Sequence, residues 1–138
     1  MPKPGYSYPR HLLAVDCIVL GYEDESLKIL LTRRAFEPAK GEWSLPGGWV
    51  CEQETAEEAA ARVLLQITGL KNIYLDQVKV FSDISRDPGG RVVSIAFYAM
   101  IRIDKHDRDL VDQHGAEWVP VNQMPDLIFD HKEMVRAT

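Results

Sequence analysis

Only two cysteines, Cys17 and Cys51, occur in the 138-residue chain. That is too few for a disulfide-stapled scaffold and suits a reducing, cytoplasmic setting. No apolar run approaches the roughly 20 residues of a membrane-spanning helix, and the opening MPKPGYSYPR has no apolar signal core. Positive charge is in short supply: 16 Lys and Arg stand against 21 Asp and Glu, a net charge of −5. The chain therefore has no basic surplus with which to neutralise nucleic-acid phosphates on its own. Internal repeats and low-complexity tracts are also missing. What is present is an ordinary globular composition, 46% hydrophobic and 27% charged, which excludes a disordered chain. A domain of this length buries about two-thirds of its unfolded surface, enough for one core. The expectation is one domain over residues 1–138.

Apolar and β-branched residues from Leu12 to Tyr22 predict a buried strand, and Leu27 to Arg33 returns as its hairpin partner across Glu23–Ser26. Proline and glycine punctuate the next stretch to Gly48, which reads as a loop with one short strand. The clearest helix is Ala56 to Thr68. Thr55 and Glu58 have capping-box spacing, and Ala56, Ala59, Ala60, Val63, Leu64 and Ile67 form one apolar stripe. Gly69 stands at the left-handed C-terminal cap. Ile73–Ile84 and Arg91–Ile103 read as a second hairpin around Asp87-Pro88-Gly89-Gly90, and Glu117–Val121 as a short strand. A last helix starts at Asp130, as its cap, and runs to Ala137. Two turns are marginal for a helix by themselves, so the chain is expected to continue beyond Thr138. The order predicts a mixed α+β sandwich.

The segment Gly47–Leu70, GGWVCEQETAEEAAARVLLQITGL, resembles the Nudix box, the loop–helix–loop with which that family binds the diphosphate of nucleoside diphosphate compounds. The family pattern is Gly, five residues, Glu, seven residues, Arg-Glu-apolar-any-Glu-Glu, any, Gly, apolar. Aligned on Gly48, the chain supplies Glu54, Arg62, Leu64, Gly69 and Leu70 in register, after a similar lead-in, Trp43-Ser44-Leu45-Pro46-Gly47. The resemblance implies a Nudix fold, a mixed β-sheet sandwiched between helices. It also implies a structural role for Glu54, Arg62 and Gly69, with Glu54 meeting Arg62; Glu58, in the capping box, is spaced at i+4 to pair with Arg62 and is expected to be structural too.

The departures from the pattern carry the chemistry. Where the family has its metal-binding glutamates, this chain has Val63, Gln66 and Ile67. Carboxylates at that helical spacing converge on Mg²⁺, a hard cation bound through oxygen. Two aliphatic side chains and a neutral amide do not. Diphosphate hydrolysis needs its barrier lowered by about 8 kcal/mol or more, which metal ions ordinarily supply. The expectation is therefore no catalytic residue, no metal and no required cofactor.

A second resemblance lies at Ser85–Ser94, where Arg86 and Arg91 bracket a turn and are expected to present two guanidinium groups together, suited to phosphate or carboxylate. The plain alternative is two solvated arginines. The run Arg-Asp-Pro-x-Gly-Arg-Val-Val-Ser is similar to that of Nudix-related transcriptional regulators of the NrtR and AraR types. That resemblance implies a homodimeric effector-binding domain, with ADP-ribose (NrtR type) or L-arabinose (AraR type) as effector. It implies DNA contact only through a C-terminal winged-helix domain that this chain lacks. The segment Phe129–Glu133 also looks like the lead from sensor to winged helix in such regulators, so the chain reads as a truncated sensor.

Further ligand candidates are Arg33 and Arg34, which close the second strand, and Trp43 and Phe81, which could stack on a base or sugar. Gly47 and Gly48 complete the set; solvation or core packing is the plain alternative for the side chains. The four histidines have no metal-ligand spacing. Two functions stay open: an effector sensor without turnover, and a metal-dependent, ADP-ribose pyrophosphatase-like hydrolase. The hydrolase would have to rebuild a Mg²⁺ site from Glu54, Glu57 or Glu58 with Asp83 or Asp87.

Overall fold

The computed structural model describes residues 5–138. Strand β1 (Leu12–Glu23) and β2 (Ser26–Arg33) form the expected hairpin. Asp24 and Glu25 both hold positive φ, 47° and 64°, the geometry of a two-residue turn that follows strand twist. Two short strands follow, β3 (Trp43–Ser44) and β4 (Gly47–Trp49), where the sequence suggested one. Helix α1 (Ala56–Thr68) has the expected bounds, the reciprocal Thr55–Glu58 capping box and a left-handed Gly69 at φ 82°. Strand β5 (Asp76–Phe81) pairs antiparallel with β6 (Val92–Arg102). It is half as long as its apolar pattern suggested, because residues 73–75 stay outside the ladder and residues 82–91 leave it as a loop.

Helix α2 (Lys105–Gln113) was not foreseen. It buries a single side chain, Val111, and so has no apolar stripe; its signal was the box formed by Asp104 and Asp107. Strand β7 (Glu117–Pro120) and helix α3 (His131–Arg136) complete the domain. Asp130 does not cap α3 with its side chain, since both carboxylate oxygens are taken by Arg86.

The sheet runs β3-β2-β1-β6-β5, with β4 also on β1 and β7 on β2. The β1–β6 pairing is parallel and the rest are antiparallel. Because side chains alternate along a strand, β1 divides its residues between two cores. Val15, Cys17 and Val19 pack with Ala59, Ala60, Val63 and Leu64 of α1 and Val111 of α2. Ile18 faces the other way, with Ile29, Leu31, Leu45, Ala96 and Met134 of α3. The result is a mixed sheet between helices. Strand β6 has neighbours on both edges, so its apolar length is accounted for inside the monomer. Among the described residues no helix is long and apolar enough to cross a membrane.

Candidate functional site

The box and a loop-side cavity both gather polar side chains. In the box, β4 lies against β1, with Gly47 opposite Asp16 and Gly48 opposite Val15. A Cβ on Gly47 would stand 2.2 Å from the Asp16 carboxylate, and one on Gly48 2.9 Å from a Val63 methyl. Both glycines are therefore required by packing, whatever else they touch. Val63 is 2% exposed and Ile67 packs against the same core. The Gln66 side-chain oxygen accepts from Arg62.

The acids near α1 are also engaged. Glu54 takes Arg62 bidentately, Nη2 at 2.6 Å and Nε at 3.0 Å, and accepts the Cys51 N–H. These bonds, the Arg62 pair foremost, hold its carboxyl down at about 2. Glu58 accepts the Thr55 N–H rather than pairing with Arg62, and Glu57 accepts from Gln77. Arg62 also reaches the Trp49 carbonyl at 2.7 Å, clamping the loop onto the helix. The donors fit this clamp, and they do not fit a divalent cation: among the described residues no three His, Cys, Asp or Glu side chains are grouped to hold one.

A depressed carboxyl stabilises the fold above its ordinary value of 4.5, and that contribution is lost as pH falls toward 2. Glu54→Gln should therefore melt below the wild type at pH 7. The gap should close between pH 4.5 and 2, as followed by thermal unfolding across that range.

The cavity, about 670 Å³, lies between the 82–91 loop and the start of α3 and is lined by Phe81, Asp83, Ser85, Arg86, Pro88, Phe129, Asp130 and Glu133. This falls within the usual range for small-ligand sites. Its floor is a buried polar group. Arg86 is not presented at a hairpin end as expected; its side chain is 3% exposed, donates Nε and Nη2 to Asp130 at 2.8 Å each, and stands 4.0 Å from Asp16. A guanidinium amid apolar packing needs such partners, and the 44-residue sequence gap hid them.

Asp16 accepts from the Ser94 hydroxyl at 2.5 Å and faces His131 Nε2 at 3.3 Å. The Leu45 N–H donates to His131 Nδ1, so Nδ1 carries no proton and the neutral ring keeps its proton on Nε2, the nitrogen on the Asp16 side. Burial lowers the His131 pKa in the same sense and raises that of Asp16. Sequence reasoning missed Asp16, Ser94, His131 and Asp130 as a group, although an acid inside the apolar run LLAVDCIVL was a usable signal.

Of the remaining candidates, Phe81 lines the cavity with Arg86. Arg34 stands over the Phe129 ring at 5.1 Å and donates to the Pro38 carbonyl, which puts it beside the same wall. Arg33 stacks on Trp43 at 4.2 Å, so these two pair with each other outside the cavity lining. Arg91 turns back to the Ser82 and Asp83 carbonyls and braces the loop. Gly47 and Gly48 sit behind the buried polar group, next to Asp16 and Val63.

The sequence from residue 10 to 138 matches the NUDIX domain family. An ADPR responsive transcriptional repressor, NtrR, from Acinetobacter baylyi is 35% identical over 133 residues. That match covers 94% of this chain and 53% of the relative, so the chain spans about half of that protein's length. An ADP-ribose pyrophosphatase from Methanocaldococcus jannaschii is 36% identical over 129 residues, covering 94% of this chain and 73% of the relative. Among solved structures, the NUDIX domain of Shewanella oneidensis NrtR complexed with ADP ribose superposes with a TM-score of 0.82 at 30% identity, covering 98% of this chain and 90% of that one.

Proposed function

Because this chain belongs to the Nudix family, we propose that it is the effector-sensing domain of a transcriptional regulator and binds ADP-ribose without hydrolysing it. The observation that carries this reading is the state of α1. Of the three positions where the family keeps metal-binding glutamates, Val63 and Ile67 are packed into the core, and Gln66 is a neutral amide held by Arg62. No metal or other cofactor is required for binding alone. Likeness to an ADP-ribose-responsive repressor and to an ADP-ribose-bound NrtR domain supports the choice of effector; neither supports L-arabinose. The cavity beside Phe81 and Arg86, with Arg34 at its wall, is the place for the ligand.

Regulation then requires that ADP-ribose bind two arrangements of the regulator with different affinity. Those arrangements belong to a homodimer whose DNA contacts come from a winged-helix domain outside these 138 residues. The helix α3, whose leading Asp130 is tied to the cavity floor, is the element placed to transmit the difference.

The identity to an ADP-ribose pyrophosphatase favours a second reading, metal-dependent hydrolysis. It needs Mg²⁺ on acids that are otherwise occupied. Glu54, Glu57 and Glu58 are bonded as described, Asp83 caps Ser85, and Asp87 accepts the Gly89 N–H.

Calorimetric titration with ADP-ribose and with L-arabinose, each with and without Mg²⁺, tests the proposal. Saturable heat with ADP-ribose, unchanged by Mg²⁺, is expected. Binding of the pentose in place of ADP-ribose contradicts the proposal.

A further inference from the structure

We infer that the cavity between the 82–91 loop and α3 receives the adenosine end of ADP-ribose, with the diphosphate left at its rim. This deepens, and rests on, the ADP-ribose reading. The charges of the lining decide which end enters. Asp83, Asp130 and Glu133 face one cation, Arg86, and Arg86 has already committed Nε and Nη2 to Asp130 and lies 4.0 Å from Asp16. The cavity is acidic on balance. A diphosphate has only acceptors and two or more negative charges, so it meets three carboxylates there against one guanidinium, which is already paired with Asp130 and keeps only Nη1 free.

Adenosine is the complement of this lining. Its exocyclic amine and two ribose hydroxyls donate, and carboxylate oxygens accept. Asp83 uses one oxygen, Oδ1, on the Ser85 N–H and hydroxyl. Among the described residues, the Glu133 side chain makes only an exposed 3.3 Å contact with Arg136, which solvent competes for readily. The purine ring has aromatic partners in Phe81 and Phe129.

Two cations lie outside the lining, each over one of its aromatic rings. Arg34 stands 5.1 Å from the centre of the Phe129 ring, and the Lys79 amine 5.5 Å from that of Phe81. A diphosphate leaving the cavity between these rings meets positive charge of the kind that the interior withholds.

The test compares AMP with ribose 5-phosphate, which carry the two ends of ADP-ribose on the same phosphate. Both are titrated calorimetrically, beside ADP-ribose, into wild type, Phe129→Ala and Glu133→Gln; Glu133 is exposed, so its variant keeps the fold. Both variants should weaken ADP-ribose and AMP by about fivefold, the size expected for one stacking or charge-assisted contact, and leave ribose 5-phosphate unchanged. If ADP-ribose binds both variants as it binds wild type, or if ribose 5-phosphate is the fragment weakened, the placement is overturned while the sensor reading stands. If wild type does not bind ADP-ribose at all, the sensor reading falls and takes this inference with it.

Discussion

Arg86→Ala should destabilise the domain by about 3 kcal/mol or more, the usual cost of removing one partner from a buried ion pair. For a domain of this size that corresponds to roughly 10 °C in melting temperature. The reason lies in what remains. Asp130 loses both of its charge-assisted donors, and Asp16, deep in the interior and already raised by burial, loses its nearby cation. Removing the Asp130 carboxylate as well, as Asp130→Asn, should recover part of the loss, because one fewer charge is stranded. A melting temperature in Arg86→Ala equal to wild type would show that the pair holds nothing together.

Val63→Glu should be comparably severe. Val63 is 2% exposed, against the place a Gly48 side chain would fill, among Ala59, Ala60 and Leu64. A carboxylate there has no donor, so it either strands a charge or takes up a proton and still loses the packing. The expected loss is about 3 kcal/mol or more by chemical denaturation. Gln66→Glu is the contrasting variant: the side chain is exposed and already contacts Arg62, so its effect should stay within about 0.5 kcal/mol. Neither change by itself should produce turnover. Equal stability of the two variants would contradict the burial on which the reading of α1 depends.

The elements that could be read from the sequence were those whose signals are local. Helix α1 had a cap, a stripe and a terminal glycine within fifteen consecutive positions, Thr55–Gly69, and the structure reproduces its bounds. The β1–β2 hairpin and the β5–β6 pairing followed from apolar runs and turn residues. Helix α2 escaped because charged residues occupy five of its nine positions, and a single buried valine makes no pattern.

The site was less legible for a physical reason. Its polar floor joins Asp16, Arg86, Ser94, Asp130 and His131 from β1, a loop, β6 and the start of α3. No spacing rule connects residues so far apart. The turn around Arg86 and Arg91 was correctly located, yet the direction of each guanidinium depends on tertiary partners: Arg86 points inward to Asp130, and Arg91 folds back on its own loop. Gly47 and Gly48 could be matched to the box pattern, whereas the packing that requires them appears only when β4 is laid on β1 beside α1.

On the proposed function, α1 has exchanged its cation-binding face for packing, and the domain holds ADP-ribose intact. Incubation of the protein with ADP-ribose and Mg²⁺ or Mn²⁺, followed by chromatography for AMP, measures this directly. Intact ADP-ribose after many hours, at a protein concentration that binds it, is the predicted result. Metal-dependent release of AMP and ribose 5-phosphate would contradict it.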